Sequence, residues 1–213
     1  MNLVDMLVAW VGSALLLIAL LGLVFRGTYG QCYSFSAYLV AVLVPQVLST
    51  VWPALYTYGF WVFKEVLHSG LKFAIVLELA YRTLRSFPGA LAAGRRVALT
   101  VVGLAYFAIV TVPGGAQAEF SARVLPRVLN GTIWLFVALA AVVLWYRLPI
   151  QPLHKAILVG FVPYLLIFSV AMAALDGFGW SIAGRIAYLH TVGYLCLEAY
   201  WVHAVWRPQT ARR

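Results

Sequence analysis

The feature that most constrains this chain is a succession of apolar runs, each about 20 residues long and set apart by short polar breaks. Such a run matches the roughly 30 Å of bilayer hydrocarbon at a rise of about 1.5 Å per helical residue. Backbone groups in lipid must find partners within their own segment, and no barrel-like alternation is present, so helices are the spanning unit. Of 213 residues 64% are hydrophobic and 10% charged, too little polar surface for a water-soluble globule. The expected fold is an all-α membrane protein of seven transmembrane helices, over 4–25, 35–53, 56–83, 96–113, 127–148, 155–175 and 181–205. Residues 1–213 then form a single transmembrane helical domain.

A formal net charge of +9 would suggest nucleic acid as partner in a soluble protein, but here it reads as an orientation signal. Arg26, Arg82, Arg85, Arg95, Arg96, Arg147, Lys155, Arg207, Arg212 and Arg213 fall on one side of a seven-helix layout. Asp5, Glu119, Arg123, Arg127 and Asp176 fall on the other. The positive-inside rule makes the first side cytoplasmic, with the N-terminus outside, and a bacterial inner membrane is the expected location. The first run, Leu3 to Phe25, has Asp5 where a signal peptide carries basic residues, and it reads as a retained helix. Tyr56, Tyr58, Trp61, Trp145, Tyr146, Tyr200, Trp201 and Trp206 cluster near helix ends, as interfacial anchors do. Cys32 and Cys196 have no metal-type spacing.

Sliding the chain on itself by about 120 residues brings Phe25-Arg26 onto Tyr146-Arg147, Pro45 onto Pro163, and Leu77-Glu78 onto Leu197-Glu198. Two parallel three-helix repeats, 1–86 and 121–207, joined by a linker helix at 96–113, are the plan this implies. It resembles the layout of SWEET-type sugar carriers and their PQ-loop relatives, with Pro45-Gln46 as a proline-glutamine pair inside a helix. Here the pair lies in the second helix and its counterpart is Pro163-Tyr164, whereas in those carriers the proline belongs to the first helix of each triplet. The set Tyr56, Tyr58, Trp61, Leu77-Glu78, Tyr81-Arg82 and Pro88-Gly89 is similar to small seven-helix bacterial membrane proteins of no assigned activity.

Chemistry concentrates in two stripes. Lys64, His68 and Lys72 are four apart and Glu65 is three before His68, so they share a face of the third helix, with Glu78 and Arg82 further along. In the last helix His190, Tyr194 and Glu198 recur every four residues. Ionisable groups at membrane depth are costly unless paired or wetted, which directs both stripes inward. Glu65, His68, Lys72, Glu78, His190, Tyr194 and Glu198 are thus the candidate residues for binding a solute or ion. Glu78 also has a structural partner in Arg82, four residues on.

Glu65-x-x-His68 occurs once, where a di-metal bundle needs two copies and two further glutamates. Bis-histidine haem is a rival, through His68 with His190 or His154 with His203, though no cofactor is expected. No Ser/His/Asp set or His-Glu-x-x-His pair is present, so no enzyme activity is expected. The expected function is binding, and transport or sensing, of a small solute or ion between the third and seventh helices. The rival is an accessory or scaffold subunit meeting partner subunits or its own copies in the bilayer. A carrier needs a cavity at the histidines; a scaffold fills that space with side chains.

Overall fold

The computed structural model describes residues 3–85, 125–178 and 180–207. Among them are six α-helices, three short 3-10 turns and no strand. The helices are α1 (Leu3–Phe25), α2 (Tyr33–Val51), α3 (Tyr58–Leu84), α4 (Leu125–Trp145), α5 (Pro152–Phe178) and α6 (Ala183–Trp206). They correspond to six of the seven expected spans, and the expected linker helix 96–113 lies outside the described residues. Val4–Phe25, Tyr33–Val51 and Pro152–Leu175 are long and apolar enough to cross a membrane.

Local chemistry sets the helix ends. Thr57 caps α3, its hydroxyl accepting from the Phe60 amide at 3.3 Å. Pro152 opens α5 at the first helical position, where a missing N–H costs nothing. At the end of α1, Gly27 takes a φ of +62°, the Thr28 amide donates to the Leu23 carbonyl and the Gly27 amide to that of Val24. This is the Schellman pattern, and glycine suits its left-handed residue.

The same pattern closes α4, where the Leu148 amide donates to Val143 and the Arg147 amide to Leu144. There the left-handed residue is Arg147, at φ 48°. A side chain in that region costs about 1 kcal/mol relative to glycine. Arg147→Gly is therefore expected to raise stability by about 1 kcal/mol in chemical unfolding, and an unchanged midpoint would contradict the strain.

The described helices fall into two compact units, one holding α1, α2, α5 and α6 and the other α3 and α4. Each expected repeat contributes helices to both. In the second unit, Ile75, Val76 and Leu79 of α3 and Ile133, Phe136 and Leu139 of α4 are buried. In the first, α6 packs against both α1 and α5, and α1 also packs on α2. Small residues let these backbones approach. A Cβ on Gly22 would stand 2.6 Å from Val205 Cγ1, and one on Gly160 would stand 2.7 Å from Trp201 Nε1. Trp206 Nε1 donates to the Ile18 carbonyl at 3.1 Å, and Arg26 donates to the Arg207 carbonyl. The core of this unit is aromatic, with Phe35, Tyr38, Phe161 and Trp201 all buried and in edge-on or tilted contact.

Candidate functional site on the last two helices

His190, Tyr194 and Glu198 lie on successive turns of α6, and burial deepens along the stripe from an exposed His190 through a half-buried Tyr194 to a buried Glu198. At the His190 end a groove of about 370 Å³ runs between α5 and α6. Its walls include Pro163, Tyr164, Phe168, Leu189, His190 and Gly193. Proline has no N–H, so Pro163 removes the helical hydrogen bond to the Val159 carbonyl, at a level that also lines the groove. Toward Gly160 the helices close, because Trp201 and Leu197 abut the α5 backbone there.

The wall of this groove is apolar apart from a few groups, chief among them a hydrogen-bonded pair. The Tyr164 hydroxyl and His190 Nε2 stand 2.7 Å apart. The imidazole sits among rings, 5.3 Å from Phe168 and stacked at 2° on Tyr194 with centroids 6.3 Å apart. Tyr164 and Tyr194 are 5.6 Å apart, centroid to centroid. A polar pair of defined geometry in an apolar slot is the arrangement by which small-molecule sites orient one end of a ligand.

The inner end of the stripe faces α1 and α2. A Cβ on Gly12 would lie 3.1 Å from Glu198 Oε2 and 3.0 Å from Gln46 Nε2, so the carboxyl and the amide converge on one spot of α1. The Gln46 amide donates to the Ala9 carbonyl at 2.9 Å. Ser13 Oγ donates to that same carbonyl at 2.8 Å. Glu198 is 1% exposed, and neither carboxyl oxygen has a hydrogen-bond partner among the described residues. Tyr38, Tyr164 and Glu198 lie within electrostatic reach of Tyr194.

The other expected residues lie on α3, in the second unit. Lys64 Nζ is 3.3 Å from Glu65 Oε1, and Glu78 Oε1 is 2.7 Å from Arg82 Nη2. His68 and Lys72 are half-buried on the same helix. The structure therefore brings His190, Tyr194 and Glu198 together in one unit and Glu65, His68, Lys72 and Glu78 in the other. Of the histidines considered for haem, His154 Nε2 is 2.7 Å from the Gln31 carbonyl oxygen, and His190 Nε2 is engaged by Tyr164. Tyr164, Gln46, Gly12 and Tyr38 were not anticipated as part of a site. Pro163-Tyr164 and Pro45-Gln46 stood out as paired prolines, but the residue after each proline is the one that meets the stripe. Comparison with family models, curated proteins and solved structures finds no match to this chain, so the site alone carries the functional argument.

Proposed function

We propose that this chain is a seven-helix integral membrane protein that binds a small, mainly apolar molecule with one hydrogen-bonding head in the α5–α6 groove, and transports or senses it. The N-terminus is outside and the C-terminus cytoplasmic in this reading, which rests on the distribution of Lys and Arg. One observation carries the binding assignment: the Tyr164–His190 pair lies in an otherwise apolar slot of about 370 Å³. A polar pair of fixed geometry in apolar surroundings can orient the hydrogen-bonding head of a ligand while the slot takes its apolar part. The rival, an accessory subunit, draws its support from large apolar side chains exposed on α4, Trp134, Leu144 and Trp145 among them.

The test is a thermal-shift titration of the purified protein with medium-chain alcohols, amides and quinones. At least one class should raise the melting temperature with concentration, as binding to the folded state requires. Tyr164→Phe should weaken that ligand about tenfold, the worth of roughly one neutral hydrogen bond. No shift across the panel, or a ligand indifferent to Tyr164→Phe, sinks the groove as the binding site.

A further inference from the structure

The inner end of the stripe has a chemistry of its own that solute binding in the groove does not use. Glu198 is buried, and both its oxygens are without a hydrogen-bond partner among the described residues. Among the described residues of its own unit, no cationic side chain lies close to it along the helices. On α1 the charged residue is Asp5, about two turns before Gly12, and Arg26 follows the helix's last residue, about four turns beyond Gly12. Between Tyr33 and Val51, α2 has no charged residue at all, and it offers Gln46 and Tyr38. On α5, His154 and Lys155 belong to the first turn and Asp176 to the last, leaving Tyr164 as the titratable group at mid-helix. On α6 the other charged or titratable residues near the stripe are Tyr188, His190, Tyr194, Cys196, Tyr200 and His203, with Arg185 three turns and more away.

A negative charge in that setting has no fixed positive partner within these four helices, so a mobile one must supply the balance. A metal cation needs several oxygen ligands around it. The other polar group that comes close to Gly12 is instead an amide N–H₂, that of Gln46, which donates to the Ala9 carbonyl. Among the described residues no group of three His, Cys, Asp or Glu side chains assembles anywhere.

We infer that Glu198 is a proton-binding site: one carboxylate oxygen takes up a single proton to give a neutral carboxyl, and release of that proton restores the carboxylate. The next group outward along the stripe is Tyr194, one turn away on α6, and beyond it the Tyr164–His190 pair stands at the exposed end. The inference is independent of whether the groove takes a solute, and solute binding can fail without touching it.

Infrared spectra of the full chain in lipid vesicles test this. At neutral pH the carbonyl stretch of a protonated carboxylic acid should be present, move to lower frequency in heavy water, and vanish in Glu198→Gln. Absence of the band from the unaltered chain, or its survival in Glu198→Gln, overturns the inference. Should that variant fail to fold, dicyclohexylcarbodiimide, which adds to a protonated carboxyl, replaces it on the unaltered chain. Of the 6 Asp and Glu residues, Glu198 should gain the mass of one carbodiimide at neutral pH and lose that reactivity at alkaline pH. No adduct at Glu198, or equal yield at both pH values, overturns it as well.

Discussion

Trp201→Ala is expected to lower stability by about 3 kcal/mol, among the largest effects of any single truncation in the first unit. Trp201 is 1% exposed and meets Phe35, Tyr38 and Phe161 with ring centroids 5.1, 6.3 and 4.9 Å away. Those rings belong to α2 and α5, so the indole joins three helices at one point. It also abuts Gly160, where the α5 backbone comes too close to α6 for any Cβ to fit undisturbed. In a bilayer the loss is one of packing rather than of transfer from water, because lipid tails are as apolar as the core. The cavity left by an indole costs dispersion contacts on every side. Unfolding in denaturant should register it as a lowered midpoint. Trp134→Ala serves as the control, since that side chain is 68% exposed and its truncation should move the midpoint by less than about 0.5 kcal/mol. Equal losses for the two would refute the assignment of Trp201 to the core.

Glu198→Met should do the opposite and stabilise the protein by about 2 kcal/mol. A buried polar group without a hydrogen-bond partner bears its full desolvation cost, and replacing it by an apolar side chain of similar length removes that cost. Methionine adapts to an irregular site, so it can fill the place of the carboxyl against Gly12 without forcing α1 away. The matched control is Glu78→Met. That carboxylate is held by the Arg82 guanidinium at 2.7 and 2.9 Å, and its loss should lower stability by a few tenths of a kcal/mol, roughly the worth of such a pair. The two substitutions are chemically identical and should differ in sign. A Glu198→Met protein that unfolds as readily as Trp201→Ala would show that the carboxyl is a structural tie. A gain in stability with a lost proton site is the usual mark of a residue kept for function.

Much of the architecture was legible in the chain itself. The six described helices start and stop within three residues of the spans drawn from hydropathy alone. The differences come at caps: α5 begins at Pro152, three residues ahead of its expected start, because a proline fits the first turn whatever its hydropathy. The Glu78–Arg82 pair was legible for the same local reason, being four apart on one helix. The shared face of His190, Tyr194 and Glu198 was legible too, from periodicity. What the stripe touches was not. Within its own unit the stripe has Tyr164 at one end and Gly12 with Gln46 at the other.

What the residues by themselves determined is the set of helices, their ends and the polar faces they carry, because a helix is closed by bonds between residues four apart and each run contains its own partners. Only the tertiary structure decided that residues 12, 46 and 198 converge and that 164 meets 190. Those meetings depend on how far each helix is rotated and how closely glycines let the backbones approach. Neither quantity leaves a pattern within one helix.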